Sequence, residues 1–186
     1  ADGDLDFEVE SFPLKELQAL SGSLETFRRN ALAVRNLAYT DLSTGMPNRR
    51  GFIEAVARFA GQCCPRTACE IIVMIADIDR FKHVNDDYGH ASGDRLVAQI
   101  GERMMSSLHS GAFVARVGGD EFAIFVPLGE QDRAQALASR LVAEMRAPFE
   151  LDGFQVAVTV SLGFVTGASN DRTQDSGTLL HRADMA

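Results

Sequence analysis

Residues Glu70 to Ala76 read Glu-Ile-Ile-Val-Met-Ile-Ala and pass without a break into Asp77-Ile78-Asp79. The run is too short for a typical helix and shows no polar alternation, so it predicts a strand buried on both faces at the centre of a sheet. Such a strand needs covering layers on either side, and it carries the carboxylates that follow it to the sheet's edge. Any fold for this chain has to be built around it.

Two more β-rich runs, Phe113–Val117 and Asp120–Val126, are separated by Gly118-Gly119, and a two-residue glycine connection predicts a tight hairpin. A second hairpin is expected to turn at Asp152-Gly153, with Val156, Val158 and Val160 on one face. Helical spacing marks Gly51–Ala60, with Phe52, Ile53, Val56 and Phe59 inward. It also marks Ser92–Met105, with Leu96, Ile100 and Met104 on one stripe beside Val97, and Asp132–Met145 through Ala134, Leu137, Ala138 and Leu141. A last helix starts near Gly177. The expected fold class is α+β, a mostly antiparallel central sheet flanked by helices.

Ahead of this domain, residues 1–12 are acidic and show no period, and Pro13 opens a helical stretch. Leu17, Leu20, Leu24, Phe27, Ala31, Val34 and Ala38 follow alternating spacings of 3 and 4, a heptad seam. Two solutions fit: an amphipathic helix packed on its own domain, or a parallel coiled coil joining two copies, which is the reading favoured here. Gly22 within the seam costs about 1 kcal/mol relative to alanine. The expected boundaries are a linker or signalling helix over 1–36 and one domain over 37–186.

Composition narrows the partners. Against 18 basic residues stand 26 acidic ones, a net charge of −8, which argues against a protein that grips a nucleic acid polymer along a basic stripe. A pocket for a single nucleotide is still open. No apolar run approaches the ~18 residues of a membrane span. Cys63, Cys64 and Cys69 form a local cluster with no Cys/His pair at zinc spacing elsewhere, so they read as reduced thiols in a loop of a cytoplasmic protein, with a metal or redox site as the lesser alternative.

The chemistry-bearing residues fall at strand ends. If Asp77-Ile78-Asp79 and Asp120-Glu121 converge, their repulsion calls for a cation, and hard oxygen ligands suit Mg²⁺. If they do not, both are solvated turns. Arg80-Phe81-Lys82 reads as a loop between strand and helix whose N–H groups, with the Lys82 ammonium, could cradle phosphate. Asn85 and Asp94 carry the groups that would read a purine's polar edge, or are simply a turn former and a helix-start residue.

Gly118-Gly119-Asp120-Glu121-Phe122, preceded by Arg116, resembles the signature that names the GGDEF family. Asp77-x-Asp79-x-Phe81-Lys82-x-x-Asn85-Asp86-x-x-Gly89-His90-x-x-Gly93-Asp94 is similar to that family's upstream block position by position. Asp41-x-x-Thr44-Gly45-x-x-Asn48-Arg49-Arg50 resembles its opening motif, with Ser43 where leucine is usual, and Arg182–Ala186 looks like the start of its last helix. The resemblance runs from about Leu37 to the end.

It implies a fold similar to the catalytic core of nucleotidyl cyclases and the polymerase palm. It also implies diguanylate cyclase activity, a nucleotidyl transfer in which two GTP condense to cyclic di-GMP with release of two pyrophosphates. By motif position, Asp77, Asp120 and Glu121 through side chains and Ile78 through its carbonyl would ligate Mg²⁺ or Mn²⁺, with Asp120 as proton acceptor and Glu121 assisting. Asn85 and Asp94 would hydrogen-bond guanine. Arg80, Phe81 and Lys82 would hold the triphosphate, and Gly118 and Gly119 would let the nucleotide approach. One GTP per protomer implies a homodimer, with the N-terminal helix and the active-site faces joining the copies.

The chain departs from the family pattern in two places. The family's product-inhibition motif, Arg-x-x-Asp, would fall on His109-Ser110-Gly111-Ala112, so no allosteric inhibitory site is expected. The family's last helix also continues with a Lys and an Arg that contact phosphate, and residues 182–186 cover only its beginning. The expected setting is a larger cytoplasmic-facing sensor, with a HAMP-type relay upstream and an inner-membrane anchor possible for the parent chain. A catalytically inactive GTP-binding module regulating a phosphodiesterase domain is the alternative from another class. An adenylate-type cyclase or polymerase palm rests on fold analogy alone.

Overall fold

The structure, a computed structural model, describes residues 14–62, 70–109, 111–127, 134–168 and 176–185. The cysteine cluster and Asp132 lie outside the described residues. The elements are α1 (Leu14–Tyr39), α2 (Arg49–Gln62), β1 (Glu70–Ile78), α3 (Phe81–Tyr88), α4 (His90–Ser106), β2 (Phe113–Arg116), β3 (Glu121–Pro127), α5 (Ala134–Glu144), β4 (Phe149–Leu151), β5 (Phe154–Val156), β6 (Val160–Ala168) and α6 (Ser176–Asp184). The chain divides into two compact units, Ala1–Leu37 and Ala38–Ala186.

The first unit holds most of α1, which passes Gly22 without a break. Ser23 and Thr26 donate their hydroxyls to the carbonyls of Ala19 and Gly22, and Glu25 pairs with Arg28 on the surface. Leu17, Leu20, Leu24, Phe27 and Val34, the apolar stripe of the heptads, are all exposed. Among the described residues no helix is long and apolar enough to cross a membrane.

The second unit is built on an antiparallel sheet of order β2-β3-β1-β6. The apolar run in β1 is unbroken because both of its faces are covered. Ile72, Met74, Ala76 and Ile78 enter one core with Leu96, Val97, Ile100 and Met104 of α4 and Leu137 and Leu141 of α5. Ile71, Val73 and Ile75 enter the other, with Phe52 and Val56 of α2 and Leu180 and Ala183 of α6. Burying each large side chain contributes roughly 1.5–3 kcal/mol, so the sheet is held from both sides. Ile53, expected inward, is exposed on α2, where Phe52, Val56 and Phe59 carry the packing.

The Asp152-Gly153 turn is present, and its two left-handed residues (φ 51° and 86°) give the reversal that a two-residue hairpin needs. The strand after it does not continue as one hairpin arm. β4 and β5 form a separate two-stranded sheet, and β6 then joins the edge of β1. Val156, Val158 and Val160 do share burial in one core. One face of α4 clasps the small sheet. Arg95 pairs with Asp152, Gln99 donates to the Glu150 carbonyl at 2.9 Å, and Arg103 donates to the Pro148 carbonyl at 3.0 Å with its guanidinium over the Phe149 ring.

Candidate active site

The carboxylates arrive through sheet register. Strand β1 extends to Ile78, so Asp77 is a strand residue rather than the residue after the strand, and it stands opposite Glu121 of β3 and Ser161 of β6. Directly opposed residues present their side chains to the same face. The Ile78 N–H donates to the Asp120 carbonyl at 3.1 Å, which brings the signature loop against the end of β1. Partial burial pushes the Asp77 carboxyl above its ordinary value, and the charges of Asp120, Glu121 and Asp79 push in the same direction.

Asp79 behaves differently. The hydroxyls of Thr159 and Ser161 donate to its carboxylate, the latter at 2.7 Å, and these bonds hold its pKa below the ordinary value. Its N–H donates to the Thr159 carbonyl at 3.0 Å. Asp79 is therefore committed to β6, whereas Asp77 faces other negative charges. Among the described residues, no three His, Cys, Asp or Glu side chains stand together as a ready cage for a metal. The donor set still fits a hard divalent cation. Asp77, Asp120 and Glu121 are oxygen ligands whose mutual repulsion a cation relieves, and Ile78, with its side chain buried, can offer only backbone.

Arg80-Phe81-Lys82 is not a loop. Arg80 is the N-cap of α3, in the left-handed region at φ 59°, and Phe81 and Lys82 are the first residues of that helix. A non-glycine residue held there costs about 1–2 kcal/mol, and it turns the chain sharply from β1 into α3. The first N–H groups of a helix have no acceptor within it, so a phosphate cradle here would be formed by the start of α3 and not by a loop. Phe81 is buried in the core, while Arg80 and Lys82 are exposed.

Asn85 sits on α3 and Asp94 on α4, both half-buried. The Asn85 amide rests against the backbone of Gly93, the neighbour of Asp94. Among the described residues Asp94 makes no hydrogen bond, and it lies 3.6 Å from an Arg116 nitrogen.

The signature turn is longer than expected. Strand β2 ends at Arg116 and β3 begins at Glu121, so the connection is Val117–Asp120, closed by the Val117 N–H to the Glu121 carbonyl at 2.9 Å. Neither Gly118 nor Gly119 has a positive φ, so a two-residue primed turn is not why glycine stands there. At Gly118 the reason is space: a Cβ would lie 3.1 Å from both Cβ and Cδ of Glu121. At Gly119 no described residue stands within 4 Å of the missing Cβ.

Spacing alone did not single out Arg116 and Asp41 as parts of this site. Arg116, nearly buried, gives Nε and Nη2 to the Gly119 carbonyl at 3.1 and 2.7 Å, and Nη1 to Asp41 Oδ1 at 3.1 Å and to the Ser43 hydroxyl. Its own N–H donates to the Pro47 carbonyl at 2.9 Å. Partial burial alone would raise the Asp41 carboxyl. Hydrogen bonds from Thr44, Ser43 and Arg116 outweigh burial and hold its pKa at about 2. The sequence signal was present in the opening motif and in the arginine before the glycines, but nothing in their spacing joined the two.

Two clefts share these residues. One of about 860 Å³ is lined by Asp77, Asp79, Arg80 and the Val156–Thr159 segment. The other, about 580 Å³, is lined by Asp41, Arg49, Asp94, Arg116, Gly118 and Gly119. The smaller one borders the signature loop, so volume alone does not locate the chemistry.

A family model described as "Diguanylate cyclase, GGDEF domain" matches residues 38–186. The cyclic di-GMP phosphodiesterase NbdA of Pseudomonas aeruginosa is 34% identical over 176 residues, covering 91% of this chain and 22% of that protein. The diguanylate cyclase TpbB of the same species is 34% identical over 175 residues, covering 93% of this chain and 39% of that protein. The chain thus spans well under half the length of these relatives. Among solved structures, the coiled coil and GGDEF domain of DgcB from Caulobacter crescentus in complex with c-di-GMP matches with a TM-score of 0.75 and 26% identity, over 92% of this chain and 90% of that one.

Proposed function

The chain belongs to the GGDEF diguanylate cyclase family, and on that footing we propose that it condenses two molecules of GTP into cyclic di-GMP as a homodimer with one GTP per protomer. In each half-reaction a ribose 3′-oxygen forms a bond to the α-phosphorus of the other nucleotide. The bond from that phosphorus to the bridging oxygen breaks, pyrophosphate leaves, and the 3′-hydroxyl proton passes to Asp120. Asp77, Asp120 and Glu121, with the Ile78 carbonyl, are the residues that would hold Mg²⁺ or Mn²⁺, which when bound lowers the 3′-hydroxyl pKa and neutralises the charge on the phosphates.

The chain's own groups do the rest. The start of α3 at Arg80 and Phe81, with Lys82 beside it, receives the triphosphate, and Asn85 and Asp94 read guanine. Gly118 and Gly119 keep the loop slim where the nucleotide enters. Residues 1–36 act as the signalling linker, and the exposed stripe from Leu17 to Val34 on α1 pairs with the same stripe of a second copy so that two sites can face each other. The parent is read as a cytoplasmic-facing sensor.

One observation carries the proposal: Asp77 is pressed against the charges of Asp120 and Glu121 at the end of the strand that the signature loop abuts. Incubating the protein with GTP and Mg²⁺ and separating the products by chromatography tests it. Absence of cyclic di-GMP from a folded dimer would overturn it.

A second reading has a specific support. NbdA, 34% identical, is named a phosphodiesterase, and a domain of this family in such a chain can serve as a GTP-binding regulator without catalysis. Calorimetry separates the two: GTP binding with no product in the dimer favours the regulator.

A further inference from the structure

The amide of Asn85 lies over Gly93, so close that a Cβ added to this glycine would fall inside contact distance of Asn85 Oδ1, 3.0 Å from Cγ and 3.2 Å from Phe81 Cζ. Gly93 is itself buried and helical, at an ordinary φ, so backbone freedom does not explain a glycine at this position. A glycine in a helix interior is a standing cost relative to alanine. What it provides here is room for one side chain. That side chain has no other anchor: among the described residues, the Asn85 amide makes no hydrogen bond. A half-buried amide without a partner is available to a ligand, and the next residue after Gly93 is Asp94.

We propose that Gly93 is a positioning residue for base recognition: by admitting the Asn85 amide against α4, it sets that amide beside the Asp94 carboxylate so that the two address one guanine. This rests on the reading of Asn85 and Asp94 as guanine contacts. The chemistry of the pair is complementary to guanine. A carboxylate only accepts and so faces the N1–H and N2 amino donors, while an amide can also donate to a ring or carbonyl acceptor. Adenine lacks the N1–H and places a donor where guanine has O6, so the pair discriminates only while both groups hold their places.

The Gly93→Ala variant must displace the flexible end of Asn85, and the helix gains intrinsic propensity in exchange. The fold is expected to persist while the reading pair comes apart.

The test is calorimetric binding, in Mg²⁺, of the non-reactive α,β-methylene analogues of GTP and ATP to the wild type, Gly93→Ala, Asn85→Ala and the double variant, with a thermal melt of each. The expected result is a loss of about tenfold in affinity for the GTP analogue in Gly93→Ala, the effect of one misplaced hydrogen-bonding group. Affinity for the ATP analogue should be unchanged, and the double variant should be no weaker than Asn85→Ala. Unaltered GTP-analogue affinity in Gly93→Ala, or losses that simply add in the double variant, would overturn the positioning role while leaving the Asn85 reading intact. Unaltered affinity in Asn85→Ala would overturn that reading, and the proposal with it. Unfolding of Gly93→Ala that Asn85→Ala reverses would support the contact. Unfolding it does not reverse would assign the glycine to packing against Phe81 and overturn the proposal.

Discussion

Arg116 holds the carbonyl of Gly119 with two nitrogens, Nε at 3.1 Å and Nη2 at 2.7 Å, and so fixes the signature loop from the end of the strand that precedes it. The same guanidinium reaches Asp41, 75 residues earlier in the chain, at 3.1 Å. A planar fork with fixed donors can serve the Gly119 carbonyl and the Asp41 carboxylate together, and an ammonium cannot.

Arg116→Ala should therefore cost about 1–3 kcal/mol, the range for leaving partly buried polar groups short of a hydrogen-bond partner, with Asp41 still held by Thr44 and Ser43. Turnover should fall about a hundredfold, as expected when catalytic groups shift by an ångström. Arg116→Lys should recover part of the stability and little of the turnover. Denaturant melts and product assays on the two variants check both statements.

Asp41 makes stability depend on acid. Its folded pKa is about 2 against an ordinary 3.8, so the group is depressed on folding. A depressed carboxylate contributes stability that is complete above its unfolded value and is lost as pH falls through the folded one. The contribution is on the order of 2 kcal/mol, disappearing between about pH 4 and pH 2. Asp41→Asn should be less stable at neutral pH, and its melting temperature should fall less steeply across that window.

Asp77 should show the opposite trade. Asp77→Asn removes one of several crowded negative charges, so without divalent metal the variant is expected to melt about 2 to 4 °C higher, the shift that roughly 1 kcal/mol produces in a chain of this size. Adding Mg²⁺ should raise the melting temperature of the wild type and leave the variant unmoved. Its activity should vanish. A variant that melts lower than the wild type, or still responds to Mg²⁺, would contradict the placement of Asp77 in the metal site.

The exposed stripe on α1 should decide assembly. Leu24→Asp combined with Phe27→Asp places charges at two exposed seam positions and should dissociate the dimer, as read by sedimentation. Specific activity should then rise with protein concentration as the active-site faces meet by mass action. A dimer unaffected by both charges would place the interface elsewhere.

Feedback is a further expectation. Guanidinium groups pair with phosphates through charge-assisted, bidentate bonds, and the window from His109 to Ala112 offers neither an Arg nor an Asp. Cyclic di-GMP titrated at saturating GTP should inhibit weakly and competitively. Strong non-competitive inhibition would contradict this.

The large elements were legible because their periods were clean. Ile71 to Ala76 is apolar at every position because it feeds two cores, and α4 and α5 repeat at helical spacing. Helix α3 escaped notice because its eight residues bury only Phe81 and Val84, too few to define a period. The left-handed Arg80 has no composition signal either, since the residue usual in that region is glycine. The pairing of β6 with β1 and the bond from Arg116 to Asp41 join positions scores of residues apart, and spacing within a motif says nothing about contacts between motifs. Ile53 was misplaced because an apolar residue at a helix-compatible position need not face the core.

The most direct measurement is product formation. With GTP and Mg²⁺ at protein concentrations that give a dimer, chromatography should resolve cyclic di-GMP and two equivalents of pyrophosphate, and Asp120→Ala should form neither while remaining folded. Bound GTP that remains unconverted in the folded wild-type dimer would contradict the assignment and leave the chain a GTP-binding regulator.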